Sequence, residues 1–412
     1  MKTYRSKYFL LIVFSIVLIA LLVGGCGGGK EIKIGAPMPL TGPYASDGEQ
    51  MNMALQMAID EWNAKGGLLG RQLKLIPGDV GALEAEKIKA VGERLIGEDV
   101  DVLITGYADS GVDARVFGEY DMPFLHGDAM TLSTEIVAQN PEKYGNVFQF
   151  TPNEVQYGDD TSVNLFKTAE EMGWMPPNNK IAIIKADYSY NILAADRFRD
   201  RSKEKGYEIV VDEVTQFGVV EWGPILSKIE QTQPSYVTFW NLDPTDAARF
   251  MIQFVEKFGE NGINALVFMQ YTPNIPEFIE LAGEAAEGLL WTTSVGLVGT
   301  GVKEYEARWV EKYGDGPKSV YSYITRDAFE IWATSVEKAG CVDCYDQVIK
   351  NIREIEYSGF AGVYKFNPVD QSILPGEDLI PTVWLQIWDG TNHIIGPGKF
   401  KEADVRLPPW IK

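Results

Sequence analysis

The 412-residue chain is poor in the side chains that most metal and redox sites require. It has two histidines and three cysteines, too few for a zinc ribbon or a multi-histidine metal site. The D-x-D-x-D-G spacing of a calcium loop is absent, and so are the G-x-S-x-G, G-x-G-x-x-G and P-loop patterns of common enzyme classes. We therefore expect no resident metal or cofactor, and the sequence gives no sign of an enzyme.

Basic residues are also scarce. Lysine and arginine total 37 against 58 acidic residues, which gives a net charge of −21. We therefore expect no nucleic-acid partner, because binding to phosphates needs a basic face. Hydrophobic residues make up 45% of the chain, enough to build substantial cores, yet beyond residue 25 no run approaches the 18 apolar residues of a membrane-spanning helix.

The first 25 residues have the composition of an export signal. Three basic residues precede the uncharged apolar run 9–23, which is shorter than the roughly 20 residues that span a bilayer. The run ends in V-G-G-C, similar to the bacterial lipobox, so we predict that Cys26 is lipidated and anchors the protein on the outer face of the cytoplasmic membrane. A plain signal peptide with an incidental cysteine is the alternative. Residues 26–30 then form a glycine-rich tether, and the processed chain carries a net charge of −24.

From residue 31 onward, short apolar runs alternate with longer segments of helical period. This alternation predicts an α/β fold with parallel sheets covered by helices on both faces. We expect two doubly wound parallel-sheet lobes joined by a multi-strand hinge. The first lobe is predicted to comprise residues 31–151 and 291–362, and the second residues 152–290 and 363–412.

Several short motifs occur in the order that is found in one known family. They are residues 34–43 (IGAPMPLTGP), 63–71 (NAKGGLLGR), 103–106 (LITG) with Ser110, 282–288 (AGEAAEG), the pair Tyr323 and Asp327, 339–340 (AG) and 408–410 (PPW). With them, residues 31–412 resemble the type I periplasmic solute-binding proteins of ABC importers, in the branched-chain amino-acid group. The resemblance implies a non-enzymatic protein that traps a small solute between two lobes and delivers it to a membrane permease. We expect a monomer.

The resemblance also implies ligand contacts in the first lobe. Ser110 takes the place of a serine that contacts the ligand's carboxylate, and a role as helix N-cap is compatible with that contact. Ala129 offers its backbone groups, whereas Met130 occupies the place of a threonine and cannot replace its hydrogen bonds. Asp128 would repel an anion unless a cation intervenes. His126 is expected to be a structural histidine rather than a metal ligand.

In the second lobe, Tyr188 and Trp240 correspond to positions at which the family contacts its ligand. The acidic residue that pairs with a ligand's ammonium should follow the strand ending at residue 269, but Gln270, Tyr271 and Thr272 stand there. A buried ammonium without an acidic partner is costly. An α-amino acid ligand would therefore need its counter-charge from the first lobe, from Asp47 or Asp128.

Aromatic side chains are the strongest sequence indication of what the cleft holds. As a set they favour a larger, flatter or amide-bearing ligand that stacks on rings, although each one could instead pack in a core. The candidates are Tyr44, Tyr188, Tyr190, Trp240, Tyr271, Tyr321 and Tyr323.

Cys341 and Cys344 have the C-x-x-C spacing of redox motifs. They fall in a loop between predicted helices, not at the end of a first strand, so in an exported protein we predict a short-loop disulfide. Two other functions stay open at this point. One is a sensor subunit that passes the closed state to a signalling receptor, and the other is an exported hydrolase or oxidoreductase of α/β fold.

Overall fold

The computed structural model describes residues 29–107, 111–260 and 262–411. Its first sheet has five parallel strands in the order β2-β1-β3-β4-β5. These strands are β1 (Ile32–Met38), β2 (Leu73–Asp79), β3 (Val102–Thr105), β4 (Phe124–His126) and β5 (Val147–Gln149). Strands β1, β3, β4 and β5 are almost entirely buried, as expected for parallel strands covered on both faces, whereas the edge strand β2 is only partly buried.

Helices follow each of the first four strands and one further short helix precedes β5. They are α1 (Ala45–Ala64), α2 (Ala85–Gly97), α3 (Val112–Phe117), α4 (Thr131–Gln139) and α5 (Pro141–Tyr144). In α1 the side chains of Met51, Leu55 and Ile59 lie on one buried stripe. Their spacing of four residues is the helical period that the sequence shows.

The second sheet has seven strands in the order β14-β13-β10-β9-β8-β6-β7. Its five parallel strands are β6 (Lys180–Ala186), β7 (Glu208–Thr215), β8 (Tyr236–Trp240), β9 (Leu266–Gln270) and β10 (Leu290–Thr293). The helices of this part are α6 (Glu154–Glu171), α7 (Ser189–Glu204), α8 (Gly223–Thr232), α9 (Pro244–Phe258) and α10 (Pro276–Ala282).

The chain then returns to the first lobe before it ends in the second. The returning segment contains α11 (Val302–Tyr313), α12 (Tyr321–Ala339), α13 (Tyr345–Arg353), β11 (Tyr357–Ser358) and β12 (Val363–Tyr364), and α12 packs on α1. The final strands, β13 (Val383–Trp388) and β14 (Thr391–Gly396), add to the second sheet in antiparallel orientation.

The predicted α/β architecture with two doubly wound lobes is confirmed, but two lobe boundaries lie later than predicted. β10, which begins at residue 290, pairs with β9 and so belongs to the second sheet. Residues 363–380 do not start the second lobe, because Ser372 bridges to Gln149 of β5 and Ile380 is buried in the first lobe's core. The sequence of that stretch shows no regular hydrophobic period, so the lobe to which it belongs is determined by its tertiary contacts alone.

Cys341 and Cys344 are joined as a disulfide, with their Cα atoms 5.7 Å apart. None of the described helices combines the length and the apolar character that a membrane crossing requires. The predicted signal segment and Cys26 lie outside the described residues.

Candidate functional site

A cavity with about 580 Å³ of empty volume, part of it open to solvent, lies where the carboxyl ends of the two sheets face each other. This is the usual place for a ligand in open α/β sheets. In the first lobe Tyr107 follows β3 and Thr151 follows β5, and in the second lobe Tyr188 follows β6 and Leu242 follows β8. The lining residues are Tyr44, Leu83, Tyr107, Gly127, Asp128, Ala129, Met130, Thr151, Tyr157, Tyr188, Tyr190, Leu242, Tyr271, Val295 and Tyr321.

Seven of the described lining residues are tyrosines, and most of them contact one another. The ring centroids of Tyr44 and Tyr107 are 5.4 Å apart, and those of Tyr107 and Tyr321 are 4.6 Å apart. Across the cavity, Tyr157 and Tyr190 meet edge to face at 6.1 Å. Tyrosine offers a flat apolar face together with a polar hydroxyl. The cavity wall is therefore suited to a ligand that has both a flat or aliphatic part and a polar group.

Asp47 supports this wall from behind. Its carboxylate is 2% exposed and accepts hydrogen bonds from the Tyr107 hydroxyl, at 2.6 Å, and from the Ser319 hydroxyl. Burial raises the pKa of Asp47, and these two hydrogen bonds oppose the rise. Because Asp47 lies in the first turn of α1, the positive end of the helix dipole also favours its charge. Asp47 is not among the described lining residues, whereas Tyr107, which donates to it, lines the cavity; a direct contact of Asp47 with the ligand stays a prediction.

The loop after β4 has most of its amide groups already bonded within the protein. We define this loop as residues 127–131. The N–H group of Gly127 donates to the Thr105 carbonyl at 3.1 Å, and that of Asp128 donates to His126 Nδ1 at 3.3 Å. The N–H group of Ala129 donates to Thr151 Oγ1 at 3.2 Å, and that of Thr131 donates to Glu154 Oε2 at 2.7 Å. These four amides are consequently not available to a ligand.

Glu154 is the unexpected member of this arrangement. It is the first residue of α6, is 1% exposed, and accepts hydrogen bonds from both the backbone N–H and the hydroxyl of Thr131. Burial raises the pKa of Glu154, and the hydrogen bonds from Thr131 oppose the rise. The N-cap residue of α4, Met130, has no side chain that can cap the helix. Glu154 supplies that cap from another helix.

Asp128 is the carboxylate on the cavity wall. It is 8% exposed and accepts a hydrogen bond from the Ser133 hydroxyl. The neighbouring His126 is buried and stacked on Phe124, with ring centroids 5.0 Å apart. Burial lowers the pKa of His126 to about 3, so its imidazole is neutral at physiological pH.

The backbone is strained at three points of the wall. Leu83, Ala129 and Tyr271 have φ angles of 67°, 52° and 62°, in the left-handed region that residues other than glycine rarely adopt. Such residues collect at ligand-binding sites, where the surrounding packing holds them in place. All three line the cavity.

The structure places four of the predicted ligand-contact residues on the cavity, namely Ala129, Asp128, Tyr188 and Tyr271. Ser110 lies outside the described residues. Tyr323 is not on the cavity; its ring packs against Tyr305 and its hydroxyl donates to Glu306.

Trp240 was predicted to contact the ligand, but it is not among the described lining residues. It is fully buried in the second lobe's core, with its ring against Phe198 and Phe268 and its Nε1 donating to Thr238 Oγ1 at 3.0 Å. Side chains alternate between the two faces of a strand, so the last residue of β8 points to a covered face of the sheet. Leu242, two residues beyond Trp240, reaches the cavity instead.

Tyr107 and Tyr157 are cavity residues that the sequence reasoning missed. Tyr107 comes two residues after the end of β3, a position that could have been proposed from the rule that ligands bind at the carboxyl ends of strands. Tyr157 lies in the first turn of α6, and its hydroxyl accepts a hydrogen bond from Ser294 N at 2.9 Å. No local motif marks Tyr157, because this contact joins segments far apart in the sequence.

Comparison with known proteins identifies relatives along almost the whole chain. The protein is 27% identical over 414 residues to a Brucella suis biovar 1 (strain 1330) protein named Leu/Ile/Val-binding protein homolog 7, covering 96% of this chain and 99% of that one. A solved structure from Silicibacter pomeroyi, assigned to branched-chain amino acid ABC transport, is 28% identical with a TM-score of 0.84, covering 93% and 100% of the two chains.

The fold is also shared with the substrate-binding protein LivJ of Streptococcus pneumoniae, solved in complex with isoleucine. The TM-score is 0.74 at 19% identity, and the match covers 89% of this chain and all of the other. The family model described as periplasmic binding protein matches residues 31–374. The chain therefore belongs to the periplasmic binding protein family, a family of exported solute-binding proteins.

Proposed function

We propose that this protein is the substrate-binding component of an ABC importer, which captures a small solute outside the cytoplasmic membrane and delivers it to a permease. The observation that carries the proposal is the tyrosine-lined cavity between the carboxyl ends of the two sheets. Both lobes contribute to its wall, so a ligand in the cavity contacts both and favours the closed arrangement.

Three passages of the chain between the lobes form the hinge. They lie between β5 and α6, after β10, and before β13. Closure about such a hinge turns solute binding into a change of shape that a permease can recognise. A dissociation constant in the micromolar range, about −8 kcal/mol, would capture a dilute solute and still permit its release.

The ligand we propose is a small organic solute, either an amino acid or a related amide or carboxylate. The Brucella suis relative is named a homologue of a Leu/Ile/Val-binding protein, and LivJ was solved with isoleucine. The tyrosine rings fit the aliphatic or aromatic part of such a molecule. The polar group of the ligand then determines which of these molecules the cavity binds.

We also propose that the exported protein is a monomer anchored by lipid at Cys26. The V-G-G-C sequence and the glycine-rich tether after it support the lipid anchor. In a bacterial host, the full chain should partition with membranes after cell lysis, and Cys26→Ser should move it to the soluble fraction. Equal membrane association of the two forms would contradict lipid anchoring at this residue.

The binding function is tested by thermal unfolding of the purified protein with L-leucine, L-phenylalanine, isobutyramide, benzoate and urea. Binding to the native state adds about 2.7 kcal/mol of stability when ligand is at 100 times its dissociation constant. At least one of these compounds should raise the unfolding temperature in a saturable way. Hydrolysis or oxidation of the bound compound would contradict the proposal.

A further inference from the structure

The cavity offers little to a ligand's carboxylate in the part of the chain that the structure describes. Four amides of the loop 127–131 donate to acceptors within the protein, and one of these acceptors is the carboxylate of Glu154. An anion bound at the N-terminus of α4 would have to displace Glu154. It would also lie beside Asp128, so both charges disfavour a second carboxylate.

Other helix ends beside the cavity also hold acidic side chains of the protein. Asp47 lies in the first turn of α1, next to Tyr44 of the wall. Asp243 caps α9, next to Leu242, and its Oδ1 accepts hydrogen bonds from the N–H groups of Thr245 and Asp246 at 2.8 and 3.0 Å. Helix N-termini normally attract anions. In α4 and α9 the protein's own carboxylates take that place, and in α1 the carboxyl group of Asp47 lies within the first turn.

The charge on the wall is of one sign. Asp128 lines the cavity, and no lysine, arginine or histidine belongs to the described lining residues. The tyrosine rings add faces of negative electrostatic potential, which attract cations within about 6 Å of the ring centre. The chain as a whole carries a net charge of −21, which favours the approach of a cation and opposes that of an anion.

We propose that the cavity selects its ligand by a cationic nitrogen: an ammonium group held against Asp128 in the first lobe, with its aliphatic or aromatic part among the tyrosines, and no requirement for a carboxylate. This inference rests on the proposed function and narrows its ligand class. It places the ligand's counter-charge in the first lobe, on the loop that follows β4.

An amino acid is compatible with this mode of binding. The N-terminus of α7, beside Tyr188, has no acidic residue in its first turn. The carboxylate of a zwitterion could therefore lie on the second-lobe side, away from Asp128. The geometry predicts that an amine and the corresponding amino acid both bind, and that the acid lacking the amine does not.

The test uses two sets of compounds that share a carbon skeleton. One set is isoamylamine, L-leucine and 4-methylpentanoate, and the other is phenethylamine, L-phenylalanine and 3-phenylpropionate. Isothermal titration of the purified protein at neutral pH should show, for at least one skeleton, that the amine and the amino acid bind roughly tenfold or more tightly than the acid.

Asp128→Asn tests the residue itself. Asparagine keeps an acceptor for the Ser133 hydroxyl and removes the charge, so the variant should fold and should bind the amine roughly tenfold or more weakly. Asp404→Asn is the matched control, because the Asp404 side chain is 95% exposed and pairs only with Lys401 among the described ion pairs. It should bind the amine as the wild type does.

The outcomes separate this inference from the proposed function. If the acid binds as tightly as the amine, or if Asp128→Asn binds the amine as the wild type does, the inference is wrong. If none of the six compounds binds but isobutyramide, benzoate or urea does, the inference is wrong and the proposed function stands. If no compound binds at all, both are wrong.

Discussion

The Tyr107 hydroxyl donates a 2.6 Å hydrogen bond to the buried carboxylate of Asp47. This bond joins the wall of the cavity to the first turn of α1, and the Ser319 hydroxyl, just before α12, holds the other carboxylate oxygen. Three segments that are distant in sequence are thereby fixed at one charged group. The shape of the tyrosine-lined wall depends on this buried carboxyl group, which is not itself among the described lining residues.

We expect Tyr107→Phe to lower the free energy of unfolding by about 1–3 kcal/mol, because Asp47 loses one of its two hydrogen-bond donors while the ring contacts remain. Denaturant unfolding measures the loss. Adding Asp47→Asn to this variant removes the poorly solvated charge and should cause no further loss. A Tyr107→Phe variant as stable as the wild type would show that the bond does not support the wall.

Trp240 and Leu242 should separate stability from binding. Trp240→Ala removes a fully buried ring from the core and should cost about 3–5 kcal/mol. Leu242→Ala, on the cavity wall, should cost less and should weaken binding of the solute that gives the largest thermal shift. Thermal unfolding with and without that solute measures both effects. Retained binding in Leu242→Ala together with loss in a folded Trp240→Ala variant would contradict the placement of these residues.

Gly127 allows β3 and β4 to end close together beside the cavity. A Cβ atom at this position would lie 2.3 Å from the Gly106 carbonyl oxygen, a backbone atom that must then shift. Gly127→Ala should therefore cost about 1–3 kcal/mol and weaken solute binding by displacing the loop 127–131.

Gly97→Ala is the control for that substitution. It lies at the end of α2, where an added Cβ meets no atom within 4 Å. It should leave stability unchanged or raise it by up to about 1 kcal/mol. Equal losses in the two variants, measured by denaturant unfolding, would rule out the close approach of Gly127 and Gly106 as the cause.

The pH dependence of stability should carry the signature of His126. Its folded pKa is lowered to about 3 from 6.5 by burial, so below pH 6.5 the unfolded chain binds a proton that the folded chain does not. The free energy of unfolding is therefore not reduced by His126 above pH 6.5, and it is progressively reduced as the pH falls from 6.5 toward about 3. Near pH 5, the wild type should have lost about 2 kcal/mol more than His126→Phe has lost.

The comparison with His126→Phe isolates this effect. The raised pKa values of Asp47 and Glu154 act in the opposite direction, because groups that keep their protons in the folded state favour folding at low pH. Both residues are present in the two proteins, so their effects cancel in the difference. Parallel pH profiles for the wild type and His126→Phe would contradict a neutral, buried His126.

Much of the fold was predictable because its signals are local. Strands such as β3 (Val102–Thr105) are short apolar runs, and helices such as α1 show their buried stripe directly in the sequence. Asp128, Ala129, Tyr188 and Tyr271 were also predictable, because residues just beyond the carboxyl ends of parallel strands converge on one cleft.

The rest depends on contacts that no local pattern encodes. Glu154 caps α4 from a helix 23 residues away from Thr131, and it takes the role that Met130 cannot fill. Trp240 is placed in the core by the alternation of side chains along β8, although its position at the strand's end suggested the cleft. The chain's last crossing from the first lobe to the second comes after residue 372, because Ser372 pairs with Gln149 of β5 in the first lobe.

The most direct test of the account is the stoichiometry and location of solute binding. Isothermal titration with the compound that gives the largest thermal shift should give one site per chain in the wild type, and Leu242→Trp, which extends a ring into the cavity, should abolish binding while retaining cooperative unfolding. Binding of that compound to a folded Leu242→Trp variant with the wild-type affinity would contradict a ligand site between the two lobes.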